Sequence, residues 1–390
     1  MSIHTLSALA LAQKLHTGSL SIIQALDACY AAIEANNANN FAALCKDTAY
    51  ARAAELQARL SAGDIRSPLA GVPVAAQDNI CTQGIVTEAG SKTLEGYVPP
   101  FDAAVIEKIE AADMILLGKT AMDEFAMGSG VCGAAQAVKA GEAPIALGSD
   151  TGGELRRATA RRGVFALRPT YGAVSRLGLI AQVSSMDQIG PVARDAADCA
   201  ALFNIIKGKD ERDSTSVETH GSASPSPKAC ASPNKSPAAA PLPLLDYALP
   251  AYDVIACAEA YSNLARYDGI KYGHASDKAR NLRETYVLSR GEGFGMEAKK
   301  RVMLGHFVLG AAHYEAYYVK AMRARRLIQQ ALLAALEPCD ILSAPAGDEA
   351  ALVSVSLAGL PALALPNGTQ LVARPFGEAA LFAAAEEFQR

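Results

Sequence analysis

Four short apolar runs, each bounded by glycine or proline, constrain this chain more than any other feature: residues 71–76, 114–118, 143–149 and 164–169. Each has strand length, and helical patterns such as residues 103–112 lie between them. Successive apolar residues on a strand need cover on both faces, because neighbouring side chains point to opposite sides of a sheet. The expected architecture is therefore α/β, with helices on both faces of a central sheet. Upstream, Ile22, Leu26, Tyr30 and Ile33 recur at helical spacing, and Ser21 with Gln24 fits a capping box at the start of that helix.

With 51% hydrophobic residues in 390, the chain can bury a large core as one big domain or two ordinary ones. The composition changes abruptly at Gly221, and from there to Pro243 it is almost entirely Ser, Pro, Ala, Lys and Asn. Such a segment buries too little apolar surface to order itself, so residues 213–245 are expected to form a low-complexity linker or loop. Residues 295–336 read as one or two long helices. Their Met303, Phe307, Leu309, Tyr314, Tyr317 and Tyr318 are expected to pack in the core.

A net charge of -4, from 36 basic and 40 acidic residues, gives no overall attraction to nucleic acid or anionic lipid. Residues 1–15 lack the positive leading segment of a secretory signal, and no apolar run is long enough to span a bilayer; the chain is expected to be cytoplasmic. The 8 cysteines are scattered without a C-x-x-C pair or a nearby His, so the expectation is buried, reduced thiols and no metal site.

Three longer stretches carry chemistry: Gly71-Val-Pro-Val-Ala-Ala-Gln-Asp-Asn-Ile80, Ala146-Leu-Gly-Ser-Asp-Thr-Gly-Gly153, and Arg168-Pro-Thr-Tyr-Gly172 continuing to Ser184-Ser-Met-Asp-Gln-Ile-Gly-Pro191. In this order they resemble the amidase signature family. Tyr247-Ala-Leu-Pro-Ala-Tyr252, Asn263-Leu-Ala-Arg-Tyr-Asp-Gly269, Gly293-Phe-Gly295 and Ala358-Gly-Leu-Pro361 narrow the resemblance to the A subunits of glutamyl-tRNA amidotransferases. It implies a central mixed, twisted sheet covered by helices on both faces, with residues 1–212 and 246–390 forming one domain. The reaction implied is hydrolysis of glutamine to ammonia, which a partner protein uses to convert Glu-tRNA(Gln) to Gln-tRNA(Gln). The implied partner is a B-type subunit, and a further candidate is a C-type subunit; tRNA contact is indirect and no cofactor is implied.

That family uses a Lys, a bridging Ser and a nucleophilic Ser, with a glycine-rich turn whose backbone N–H groups hold the oxyanion. A serine hydroxyl needs a base to remove its proton, and the developing charge needs preorganised donors. Carried over by resemblance, the Lys position is Gln77, the bridging position is Gly130 and the nucleophile position is Glu154. A carboxamide does not take up a proton near neutral pH. Gly130 falls where the chain passes almost directly from Met127-Gly128-Ser129 to Gly133, without the family's intervening loop. Gly128 to Gly133 also fits G-x-G-x-x-G, but it follows the helix-like residues 121–126 instead of a strand, so it reads as the scar of that deletion.

The oxyanion turn is Thr151, Gly152 and Gly153, and the Glu154 carboxylate is expected to plug it, since an anion is favoured at a helix start. Arg156, Arg157, Arg161 and Arg162 follow; a solvated helix face, or partners for acids such as Glu154, is favoured over a phosphate site. Arg301 corresponds to the family's carboxylate clamp for substrate. The acid that recognises the substrate amine belongs between Pro345 and Leu357, where this chain is much shorter than the family. The resulting reading is a catalytically inactive scaffold or binding subunit. Its alternatives are an amidase of altered mechanism using Glu154 and a decayed paralogue without a fixed role.

Overall fold

The computed structural model describes residues 3–128, 130–218 and 244–389. At its centre is a nine-stranded sheet of β1 (Phe41–Leu44), β2 (Pro73–Gln77), β3 (Ile115–Thr120), β4 (Ile145–Asp150), β5 (Phe165–Arg168), β6 (Gln188–Ala193), β7 (Ile341–Pro345), β8 (Ala362–Ala364) and β9 (Thr369–Ala373). Their spatial order is β1-β3-β2-β4-β6-β5-β8-β9-β7. β2 runs parallel to its neighbours β3 and β4, and the other pairs are antiparallel, so the sheet is mixed. Every residue of β2, β4, β5 and β6 is buried, which requires cover on both faces. One apolar cluster takes side chains from helices Ile22–Ala35, Lys46–Ser61 and Ala196–Ile206, and a second from helices Leu245–Leu264, Lys320–Ala335 and Glu349–Ala358.

The four apolar runs fall on β2, β3, β4 and β5, displaced by a residue or two. The capping box forms as expected: Ser21 Oγ accepts from the Gln24 N–H at 3.1 Å, and Gln24 Oε1 accepts from the Ser21 N–H at 2.9 Å. All seven cysteines among the described residues are buried; Cys230 lies outside them. No described helix is long and apolar enough to cross a membrane.

Of the expected linker or loop 213–245, residues 219–243 lie outside the described residues, and 213–218 are a loop that packs on the body. The Arg176 N–H donates to Asp213 Oδ2 at 2.8 Å, and the Val217 N–H donates to the Gly172 carbonyl at 2.9 Å. Strands from both sides of the interval share the sheet.

The expectation for the aromatic stripe needs adjustment. Residues 295–336 form helices Met296–Leu309 and Lys320–Ala335 joined through a π-turn, and the stripe is not core: Met303 is 73% exposed, and Phe307, Tyr314 and Tyr317 are exposed as well. The first helix buries its small side instead, Ala298, Gly305 and Val308. A Cβ on Gly305 would meet the Cys257 carbonyl at 2.1 Å, so the backbones approach too closely for bulky residues to lie between them. The rings left outside stack on one another, Phe307 on His313 with centroids 4.0 Å apart.

Candidate functional site

β4 ends at Asp150, and the chain turns through Thr151, Gly152 and Gly153 before helix Glu154–Arg162 begins. Gly153 has φ +103°, and a Cβ there would lie 2.6 Å from the Leu352 Cβ, so both backbone conformation and space demand glycine. A Cβ on Gly152 would lie 2.5 Å from the Tyr252 hydroxyl oxygen.

Beneath the turn lies a buried ion network. The Asp150 carboxylate accepts from Arg156 Nε at 3.1 Å and from an Arg168 terminal nitrogen at 2.8 Å, and all three side chains are inaccessible to solvent or nearly so. Burial alone would raise the Asp150 pKa, but the two guanidinium groups override it and hold it down at about 2. Arg156 also reaches Gln370, the Leu352 carbonyl and Ser356. Asp187 accepts from Thr151 Oγ1 at 2.7 Å and from the Gln182 and Val183 N–H groups, which ties the turn to the segment before β6. With its amide turned to the orientation that satisfies both of its atoms, Gln182 donates to Thr151 Oγ1 at 3.2 Å and accepts from Arg301 at 3.3 Å.

Over the turn lies Glu154. Its Oε1 accepts from the Thr151 N–H at 2.7 Å and its Oε2 from the Gly152 N–H at 2.8 Å. The geometry is that of an occupied anion turn, but the charge balance differs from the expectation. Burial, followed by repulsion from Asp150, outweighs the N–H donors and pushes the Glu154 pKa up to about 7. The helix start does not keep this group fully ionised at neutral pH.

Gln77 closes β2 in the core, and its Oε1 accepts from the Ser149 N–H at 2.6 Å and from Ser149 Oγ at 3.2 Å. Asn79 donates to the same hydroxyl at 2.8 Å. Gly130 sits in the short connection to helix Gly133–Ala140, where the Asp123 Oδ2 accepts from the Gly130 and Val131 N–H groups at 2.9 and 3.1 Å. Of residues 121–126, read as helix-like, only Glu124–Ala126 form a 3-10 turn, and Phe125 and Ala126 there have positive φ.

Arg301 approaches the turn from the side of Tyr252. Its Nε donates to Glu297 at 3.3 Å, and it lines an open cavity with Tyr252, Asp253, Glu154 and Glu349. Glu349 comes from the interval expected to supply an acid, and it pairs with Arg157 at 3.3 Å. The four arginines after Glu154 do not form one face. Arg156 is fully buried on Asp150 and makes no bond to Glu154, because its helical phase turns it toward the sheet, whereas Arg161 is exposed.

Sequence reasoning left Asp123, Asp150, Gln182 and Tyr252 without roles. Asp150 and Tyr252 lie inside quoted motifs, so the signal was present; Asp123 is fixed only by the shortened connection it caps.

Fold and turn together define a class: α/β proteins that present backbone N–H groups from a glycine-rich turn at a helix start, the arrangement that binds an oxyanion in acyl transfer. The Amidase family profile matches residues 24–132, 129–239 and 234–358, and the chain belongs to this family. The A subunit of the glutamyl-tRNA(Gln) amidotransferase of Agathobacter rectalis is 38% identical over 453 aligned residues, covering 97% of this chain and 90% of the relative. Its counterpart in Symbiobacterium thermophilum is 40% identical over 433, covering 90% and 89%. The crystal structure of the A subunit of the Thermotoga maritima glutamyl-tRNA(Gln) amidotransferase superposes with a TM-score of 0.65 at 27% identity, covering 98% of this chain and 94% of that one. The peptide amidase of Stenotrophomonas maltophilia shares the fold, with a TM-score of 0.76 at 23% identity over 99% and 96% of the chains.

Proposed function

We propose that this chain is a non-hydrolysing relative of the amidotransferase A subunits, which occupies its own oxyanion turn and serves as an assembly subunit. The observation that carries this reading is the seat of Glu154, with one carboxylate oxygen on each of the Thr151 and Gly152 N–H groups. A tetrahedral oxyanion needs those donors, and the side chain that holds them stands where the family has its nucleophile.

The residues around the turn support the same reading. Gln77, at the position of the family's Lys, is a carboxamide already accepting from Ser149, and it cannot act as a base. Gly130 has no side chain with which to relay a proton. Ser149 is the hydroxyl that Gln77 holds, but it is only 2% exposed and faces no base among the described residues. Removing a serine nucleophile or its base costs up to about a millionfold in rate, and here the parts are missing together.

The partner this reading names is a B-type amidotransferase subunit, joined by a C-type one, with tRNA held by the partner. Co-purification of the tagged chain with B- and C-type subunits tests it. A stable complex supports an assembly role, whereas folded chain that remains alone at micromolar concentrations of both supports a decayed paralogue.

One observation favours a second reading. A carboxyl group with a pKa of about 7 is poised for general-base work, and Glu154 faces the cavity that holds Arg301. In that reading Glu154 must leave the two N–H groups before it acts, and amide hydrolysis would depend on it.

A further inference from the structure

The positive charge of the chain is gathered in one stretch. Residues 296–327 hold seven Lys and Arg against two Glu and no Asp, a net of +5 in a chain whose net charge is -4. Arg301 and Arg325 turn inward, Arg301 to the cavity beside Tyr252 and Arg325 onto Ser185 and the Leu357 carbonyl. Lys300, Lys320, Arg323 and Arg326 are exposed, and Lys320 and Arg323 meet no acid among the described residues. Of the two acids, Glu297 already accepts from Arg301 and Lys300.

The same stretch carries the exposed apolar stripe. Met296, Met303 and Phe307 recur at helical spacing on the outer side of helix Met296–Leu309, with Lys300 between them. Phe307 meets Tyr317 edge to face with centroids 5.4 Å apart, which joins the stripe to the start of helix Lys320–Ala335 across the π-turn. Apolar surface gathered in this way marks a contact with another molecule. Met, aromatic residues and Arg are the types enriched at protein interfaces, where Asp and Glu are depleted. A bilayer anchor needs apolar side chains that project, and the aromatic half of the stripe does not supply them: Phe307 and Tyr317 are each more than half covered.

Charge decides among the occupants. A second copy of the chain, meeting this face across a two-fold axis, would set like charges against each other. Residues 219–243 of the chain carry two Lys and no Asp or Glu, so they offer no counter-charge. We propose that this face docks a partner protein through a segment whose apolar stripe is flanked by Asp and Glu. The proposal deepens the assembly reading and rests on it for the natural partner. Such a segment covers Met303 and Phe307 while its carboxylates meet Lys320, Arg323 and Arg326.

Fluorescence anisotropy with a labelled amphipathic peptide of about 20 residues, Leu at helical spacing on one face and Glu on its flanks, tests the face directly. The natural chain should bind it with a dissociation constant of about 10 μM or tighter, and binding should weaken as salt is raised. Met303→Ser with Phe307→Ser, and separately Arg323→Glu with Arg326→Glu, should each weaken binding about thirtyfold, each read alongside a thermal melt. No binding at about 100 μM peptide, a hundredfold above the micromolar end of interface affinities, overturns the proposal. So does binding that neither double variant weakens, or retention on phosphatidylserine vesicles as strong as the binding of peptide. The same variants separate this inference from the assembly reading. Capture of B- and C-type subunits that both double variants abolish supports docking at this face. Capture undiminished in both overturns it and leaves the assembly reading standing. No capture by the natural chain defeats the assembly reading, and the peptide titration still decides this one.

Discussion

Glu154 Oε1 lies 2.7 Å from the amide nitrogen of Thr151, three residues earlier, so the side chain folds back over the turn that leads into its own helix. With Oε2 on Gly152, it satisfies two N–H groups of the turn that precedes its helix. Glu154→Ser removes both acceptors. At about 1 kcal/mol net per hydrogen bond, the variant should be destabilised by roughly 1–3 kcal/mol, read as a fall of a few degrees in melting temperature. An unchanged or higher melting temperature would count against the plug.

The same carboxyl group gives a pH signature. Its ordinary pKa is near 4.5 and its folded value is about 7. Between these values the folded chain keeps a proton that the unfolded chain has released, so this group's contribution to stability falls as pH rises through that window. Glu154→Gln cannot titrate. The stability of the natural chain minus that of Glu154→Gln should therefore decline from pH 4.5 to 7 and level off above. Urea denaturation at a series of pH values measures it, and a difference that rises with pH would show that the N–H donors dominate after all.

Asp150 is the carboxylate shared by two buried guanidinium groups, so Asp150→Asn leaves Arg156 and Arg168 in the core without their common counter-charge. Breaking a buried pair in this way costs about 3–5 kcal/mol. The denaturation midpoint should drop by that equivalent, or the variant should fail to accumulate as folded protein. A loss under about 1 kcal/mol would mean that the network is not the support of the turn.

The exposed stripe makes a contrary prediction. Met303→Ser should change stability by no more than about 0.5 kcal/mol, because the side chain is largely in solvent already. A core methionine would cost several times that, so a thermal melt of this variant discriminates between the two placements.

The sequence revealed those parts whose physics is local. β2 to β5 were legible because strands buried on both faces read as continuous apolar runs, and the helix at Ile22–Ala35 because its capping box spans only the four residues from Ser21 to Gln24. β6 was not read as a strand: Gly190 and Pro191 interrupt Gln188–Ala193 and resemble a turn, though Pro191 is accommodated opposite Leu147. β1, β8 and β9 are short and lack a distinctive pattern. At the site, Glu154 on its turn was foreseeable from the Thr-Gly-Gly spacing, whereas the burial of Arg156 was not, since an arginine shows its burial only through a partner. The Glu154 pKa of about 7 likewise comes from burial and from Asp150 beneath it, neither of which a motif expresses.

Ammonia release from glutamine, by the purified chain alone and with B- and C-type amidotransferase subunits, tests the central claim most directly. An occupied turn without a base predicts release indistinguishable from the protein-free control in both cases, and no change on Glu154→Gln. Sustained release that disappears in Glu154→Gln would contradict the account and establish Glu154 as a working catalytic group.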